Sequence, residues 1–203
     1  MSAWVQGAIL AIGFVLGVAL MGVQMATSRY LTPYFGSGID VWAVLISTVM
    51  LSLMAGYYIG GRVADSHPRT EVLGGAVLIA GIFLLAVPPL ATPVLDWTLM
   101  HIGDGVGAAL FASVAIMFLP FTLLSFFSPY AVRLLLSDAG HGGRVAGSVY
   151  SITTIGNIVG TLGTALVLMP IIGSRLITFV LAGAIIACGA ALILMRRRAS
   201  VAA

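Results

Sequence analysis

Apolar residues fall in long runs along this chain, and short polar stretches separate the runs. A helix needs about 20 consecutive apolar residues to cross the hydrocarbon core of a bilayer. Six runs reach that length, at residues 4–26, 41–61, 72–90, 106–132, 145–169 and 176–195. The pattern predicts an all-α membrane protein with six transmembrane helices, forming a single integral membrane domain over residues 1–203.

Prolines are expected to shape these helices because proline has no backbone N–H to donate. Pro120 lies in the middle of the fourth run, where we expect a kink. Pro88 and Pro89 are predicted to end the third run, and Pro170 the fifth.

Composition supports the membrane assignment. Hydrophobic residues make up 61% of the 203 residues and charged residues only 7%, whereas soluble domains carry about 25% charged residues. No basic run is interleaved with aromatics, which argues against nucleic-acid binding. The one cysteine, Cys188, lies in an apolar run and is expected to be a buried, inert thiol.

Arginine placement predicts the orientation, since cytoplasmic loops are enriched in basic residues. With a cytoplasmic N-terminus, the inner side holds seven arginines and the outer side two. The inner set is Arg62, Arg69, Arg133, Arg144, Arg196, Arg197 and Arg198, and the outer set is Arg29 and Arg175. Both termini are therefore predicted to be cytoplasmic, in a multi-pass protein of the bacterial cytoplasmic (inner) membrane.

The stretch from Gln24 to Trp42 interrupts the apolar pattern most strongly. It carries Arg29, Tyr30 and Tyr34 beside one proline and two glycines. Three interpretations remain open: an interfacial loop, a re-entrant corner or the lip of a binding site. The aromatics fit an interfacial belt, and Arg29 beside them is suited to a lipid headgroup or an anionic ligand.

Glycines recur at helical spacing in three of the runs. The pairs are Gly13 and Gly17, Gly56 and Gly60, and Gly156 and Gly160. Small residues four positions apart let helix backbones approach closely. We expect these pairs to pack helices within one bundle, with a dimerisation face as the alternative.

No catalytic constellation is apparent in the sequence. The three histidines, His67, His101 and His141, fall in three loops on both sides of the predicted membrane, so they do not form a zinc-ligand cluster. We predict neither enzyme activity nor a cofactor or metal site.

The loop after the second run contains Gly61, Asp65 and Arg69. This spacing resembles the inner-loop motif between helices two and three of major facilitator transporters, although Ser66 replaces the usual basic residue. The resemblance implies a charge network in which Asp65 pairs with Arg62, Arg69 or Arg133. A solvated loop with ordinary positive-inside arginines is the competing interpretation.

Further motifs resemble the membrane domain of fused spermidine synthase-like proteins. They cover nearly the whole chain in order: Arg29, Leu31, Pro33, Phe35, Gly36 and Trp42; Gly60 to Asp65; Ser128 to Leu134; Gly147, Tyr150, Thr154 and Gly156; Pro170, Gly173 and Arg175. The resemblance implies a fold like one half of a major facilitator transporter. It also implies an association with polyamine aminopropyltransferase-like enzymes.

Two departures weaken the transfer of polyamine chemistry. The sequence has no glycine-rich nucleotide loop of the enzyme domain, and Gln24 stands where members of the resembled family often carry a glutamate. All six acidic residues fall near the ends of the apolar runs or between them. Intramembrane carboxylates normally mark cation pathways, so the chain alone is not expected to carry a polycation.

Two functions from different classes follow. The first is a non-catalytic integral membrane subunit or docking module, packed on another membrane protein or seating a cytoplasmic enzyme. The second is a half-size transporter of a small solute, in which two copies make twelve helices. Its polar candidates for interhelical or solute contact are Gln24, Arg29, Tyr30, Tyr34, Trp42, Thr154 and Asn157. Membrane lipid is an expected partner in both cases.

Overall fold

The computed structural model describes residues 3–136 and 142–201 of the chain. All regular elements in these ranges are helical. The α-helices are α1 (Ala3–Phe35), α2 (Ile39–Ser66), α3 (Thr70–His101), α4 (Val106–Ser113), α5 (Leu119–Ser125), α6 (Phe127–Leu135), α7 (Gly142–Leu162) and α8 (Met169–Val201). Two π-helical turns, Val114–Phe118 and Gly163–Leu168, connect α4 to α5 and α7 to α8.

Five helical runs in the described ranges are long and apolar enough to cross a membrane. They are Trp4–Phe35, Ile39–Ser66, Thr70–His101, Val106–Leu135 and Gly142–Met195. The predicted all-helical fold is therefore confirmed, and five of its helical runs have the length and composition of membrane spans. The last run has 54 residues and is interrupted at Gly173, whose backbone angles (φ 70°, ψ 161°) are not helical.

The helices extend beyond the apolar segments that the sequence marks. The first helix continues through Arg29 and Tyr34 to Phe35, so only residues 36–38 separate α1 from α2. The stretch from Gln24 to Trp42 is therefore mostly helix, with a three-residue corner at Gly36 (φ 79°). Of its three interpretations, a long interfacial loop is excluded.

The prediction that Pro88 and Pro89 end the third helix is wrong. The α3 helix passes through both of them, and through Pro93, to His101. Each proline removes one backbone hydrogen bond, but neighbouring helices and local adjustments let transmembrane helices tolerate such losses. Pro120 comes two residues after a π-helical turn, and the helical backbone continues through it.

Close helix crossings hold the bundle together. The tightest partners are α1 with α7 and α8, α3 with α8, and α2 with the run from α4 to α6. Buried aliphatic residues such as Leu45, Leu84 and Ile185 fill the space between them, while many large apolar side chains face outward. Outward apolar surface of this kind suits lipid.

The bundle has two ends, the Gly36 end and the Ser66 end. The Gly36 end carries the α1–α2 corner, the α3–α4 connection near Gly103 and the interruption at Gly173. The Ser66 end carries the α2–α3 connection and the last residues of α6.

Candidate functional site

A small crevice opens between five helices close to the middle of the bundle. Its polar lining residues are Tyr57 on α2, Ser125 and Ser128 on α5 and α6, and Thr153 and Asn157 on α7. Gly13, Gly17, Leu20 and other residues of α1 form the opposite wall. The crevice has a volume of about 60 Å³, which is room for a few water molecules.

Two glycine-mediated crossings frame this crevice. On one side, a Cβ atom placed on Gly17 would collide with the Thr153 carbonyl oxygen, and Cβ atoms on Gly156 and Gly160 would collide with the carbonyl oxygens of Phe14 and Val18. On the other side, a Cβ on Gly56 would lie 2.5 Å from Ser125 Cβ, and one on Gly60 2.8 Å from Phe126 Cα. All six glycines named in the sequence thus lie at or beside crossings between helices of the same chain.

The crevice combines apolar lining with several uncharged polar groups. Ser125 and Thr153 donate their hydroxyl hydrogens to the carbonyls of Phe121 and Val149, at 2.6 and 2.9 Å. Their oxygen lone pairs remain available to accept. The Asn157 side chain has no hydrogen bond within the described part of the chain, so both its donor and acceptor sides are free. None of the lining residues is acidic or basic.

Gln24 lies on the same face of α1 as Gly17 and Leu20, because residues four and seven positions apart share a helix face. Its side chain is buried, at 5% exposure, and the described ranges hold no hydrogen-bond partner for it. Ser28 is one turn further along the same face. Gln24 therefore lies between the crevice and the cleft described next, without lining either. Thr154 is exposed on α7 and lines neither cavity.

A second cavity system surrounds Arg29 at the Gly36 end. It consists of two adjoining hollows of about 240 and 320 Å³, which share Arg29, Ala165 and Met169. We call it the Arg29 cleft. Its remaining lining residues are Met25, Ser28, Thr32, Gly36, Ser37, Val41, Trp42 and Leu45 in the first hollow and Pro170, Gly173 and Ser174 in the second.

Tyr30 and Tyr34 act as ties between helices instead of lining this cleft. The Tyr30 hydroxyl lies 3.0 Å from Thr178 Oγ1, which joins α1 to α8. The Tyr34 hydroxyl donates to Asp96 Oδ1 at 2.8 Å, which joins α1 to α3. Arg175 donates to Thr92 Oγ1 at 3.1 Å and so joins α8 to α3. Of the aromatic residues predicted as contacts, only Trp42 reaches the cavity.

The inner-loop residues meet only in part at the Ser66 end. Asp65 pairs with Arg133 at 3.3 Å, with both side chains largely exposed, and an exposed pair contributes at most about 1 kcal/mol. Arg62 lies over the Tyr58 ring, 4.1 Å from its centroid. Arg69 precedes α3 and is exposed. The Tyr130 hydroxyl, which donates to the His67 carbonyl, is a further contact at this end.

The histidines are separated in the structure. His67 Nδ1 is 2.9 Å from Ser66 Oγ at the Ser66 end. His101 stacks on Trp97, 4.7 Å between ring centroids, at the Gly36 end. His141 and the acidic residue Asp138 lie outside the described residues. Within the described ranges, no group of three potential ligands that would hold a metal ion occurs.

Sequence reasoning did not single out several residues that the fold brings together. Tyr57, Ser125 and Ser128 read as ordinary helix residues, yet they line the crevice with Asn157. Thr178 and Thr92 read as capping hydroxyls, yet they receive Tyr30 and Arg175. The sequence offers no local signal for these contacts, because each joins helices that are distant along the chain.

Comparison with known protein families, curated proteins and solved structures finds no match to this chain.

Proposed function

We propose that the chain is a half-size transporter unit that handles a small, uncharged polar solute and works as a pair of identical chains. The observation that carries this proposal is the polar crevice near the midpoint of the bundle. Transporter sites characteristically lie near the bilayer midplane, at the interface of structural repeats. Asn157 lies midway between the start of α7 at Gly142 and the break at Gly173.

The packing supports an internal repeat of three plus three spans, as in each half of major facilitator transporters. In this proposal the 54-residue run crosses the membrane twice, since about 80 Å of helix is far longer than a bilayer core of about 30 Å. The helices α1, α2 and α3 then correspond, in this order, to the run from α4 to α6, to α7 and to α8.

If each helix is replaced by its counterpart in the other repeat, the pattern of helix contacts stays the same. The contact of α1 with α7 corresponds to the contact of the α4–α6 run with α2, and α3 with α8 corresponds to itself. The glycine pairs follow the same rule. Gly56 and Gly60 on α2 pack against the α4–α6 run, as Gly156 and Gly160 on α7 pack against α1.

The lining chemistry indicates the class of solute. An amide and several hydroxyls suit hydrogen bonds to a neutral polar molecule, whereas a polycation requires compensating carboxylates, and the lining has none. The crevice of one chain, at about 60 Å³, is too small for a solute of several heavy atoms. A second copy facing it would enlarge the site.

Cysteine accessibility tests this proposal. In a Cys188→Ala background, Asn157→Cys should react with a small membrane-impermeant thiol reagent in both right-side-out and inverted vesicles, because alternating access exposes a central site to each side in turn. The matched control is Ala182→Cys, which is fully buried between α3 and α8 and should stay unreactive from both sides. If Asn157→Cys stays unreactive in one or both vesicle orientations, the transporter proposal is contradicted.

A docking module remains the second candidate. Its specific support is the Ser66 end, where Arg62, Arg69, Arg133 and Arg144 are exposed. Among these four, Arg133 forms an ion pair with Asp65 in the described part of the chain. Such a surface suits an acidic cytoplasmic partner, including an aminopropyltransferase-like enzyme, by electrostatic complementarity.

The mass of the complex in mild detergent separates the two candidates. The transporter proposal predicts an even multiple of the 21.0 kDa chain and no other stoichiometric protein. The docking module predicts a second, different chain, and that chain should dissociate as salt is raised.

A further inference from the structure

We propose that the Arg29 cleft is a binding site for a phosphate-bearing anion, with the Arg29 guanidinium as its principal ligand. This inference does not depend on transport by the central crevice. It rests on the position of one unpaired cation in a two-part cavity and on the groups that surround it.

Arg29 presents its charge without a counter-ion among the described residues. Its Nε donates to the Met169 sulfur at 3.5 Å, and a thioether is only a weak acceptor. Within the described ranges no carboxylate lies at ion-pair distance from Arg29. The Nε contact orients the guanidinium and leaves its two terminal amino groups free. These two groups form a planar fork that can donate to two phosphate oxygens at once.

Other donors face the same space. Ser28 and Thr32 donate their hydrogens to helix carbonyls at 2.7 and 2.8 Å, so they offer only lone pairs and do not bind an anion directly. The indole N–H of Trp42 and the hydroxyls of Ser37 and Ser174 have no hydrogen-bond partner in the described part of the chain. These three donors supplement Arg29.

The rest of the lining indicates an amphiphilic ligand. Met25, Val41, Leu45 and Ala165 give the first hollow an apolar wall beside its polar groups. A phosphate group on Arg29 would therefore be continuous with an apolar groove, as in a phospholipid whose headgroup is anionic. Basic pockets between transmembrane helices bind such headgroups. Dissolved phosphate shares the recognised chemistry but would leave the apolar wall unused.

Tryptophan fluorescence of the purified full-length chain tests the site with defined probes. The probes are dioctanoyl phosphatidylglycerol, dioctanoyl glycerol without a phosphate, and inorganic phosphate alone. We expect a saturable change with phosphatidylglycerol and none with dioctanoyl glycerol. Trp42→Phe should abolish the signal, which assigns it to Trp42 and not to Trp4 or Trp97.

Charge variants decide whether Arg29 is the ligand. Arg29→Gln should weaken phosphatidylglycerol binding by about tenfold or more. Arg29→Lys keeps the charge without the fork and should give a smaller loss of roughly threefold. Arg175→Gln is the matched control, because Arg175 lies at the same end, is exposed and donates to Thr92 instead of lining the cleft.

The outcomes are distinct. Strong binding of phosphatidylglycerol with weak binding of inorganic phosphate identifies a lipid headgroup as the source. Equal Arg29-dependent binding of inorganic phosphate identifies a dissolved anion, and both results support the site. The proposal is overturned if neither probe binds, or if Arg29→Gln and Arg29→Lys, each with an unchanged unfolding midpoint, bind as the unaltered chain does. An equal loss in Arg175→Gln would also overturn it.

Discussion

Glycine matters in this protein where the backbone of one helix touches the backbone of another. Gly156 is the clearest case, since a Cβ there would collide with the Phe14 carbonyl oxygen. A carbonyl in a buried helix cannot move aside without disturbing its own hydrogen bond. The spacing of Gly156 and Gly160 in the sequence indicates close packing, but the identity of the facing helix depends on the fold.

Alanine at Gly156 should therefore destabilise the chain. We expect Gly156→Ala to lower the free energy of unfolding by about 1–3 kcal/mol, the usual cost of overpacking. Denaturant titration in mixed micelles measures the change. Gly147→Ala is the control on the same helix, because nothing lies within 4 Å of its Cβ position. That variant should be neutral, or stabilised by up to about 1 kcal/mol, and equal effects at both positions would contradict the packing argument.

The partners of the two intramembrane amides could not be predicted from the sequence. The sequence identifies Gln24 and Asn157 as intramembrane amides suited to hydrogen bonds between helices or to contact with a solute. The described structure gives neither side chain such a bond, although Gln24 is buried and Asn157 lines the crevice. An unpaired amide in an apolar bundle is costly, so hydration or a bound solute is the expected partner.

At the scale of elements, breaks do not coincide with prolines. The α3 helix continues through three prolines, whereas the last helical run is interrupted at Gly173, three residues after Pro170. Proline fixes its own φ near a helical value and removes one backbone hydrogen bond. A helix bundle can tolerate the loss of that one bond. The Gly173 conformation, at φ 70° and ψ 161°, is essentially restricted to glycine.

Gly173→Ala should destabilise the chain, because alanine rarely adopts this backbone conformation. No atom lies within 4 Å of the Cβ position, so any loss reflects the backbone and not a clash. We expect a decrease of about 1–3 kcal/mol in the free energy of unfolding, measured in the same mixed-micelle titration. Gly163→Ala is the matched control, since that position is equally open but has no positive φ. A loss confined to Gly163→Ala would argue against the interruption.

At the scale of the whole molecule, the interruption at Gly173 determines whether the termini lie on the same side. If the run Gly142–Met195 crosses once, the termini are on opposite sides. If it crosses twice, they are on the same side, and the arginine asymmetry makes that side cytoplasmic.

Reporter fusions check this topology. A cytoplasm-active fluorescent reporter should be active when fused before Met1 and when fused after Ala203, and a reporter active only outside should be inactive at both. A reporter inserted at Ser37, in the short corner between α1 and α2, should give the opposite pattern and serves as the control. Termini with opposite behaviour would show an odd number of crossings.

The sequence by itself determined the class of protein and the residues of its tight crossings. Apolar runs of membrane length, a charged fraction of 7% and glycines four apart are local properties, and local composition is sufficient to interpret them. The same information misplaced the end of α3 and was wrong to end a helix at Pro170, since the last run continues through Pro170 to Gly173. Support for these prolines comes from neighbouring helices.

Only the tertiary structure decided where the polar groups meet. Asn157 joins Tyr57, Ser125 and Ser128 in one crevice, and Arg29 joins Trp42 and Ser174 around one cleft. Each of these groups comes from helices far apart along the chain. Their proximity is set by which glycine faces cross and by the Gly173 corner, and no pattern within a single segment contains that information.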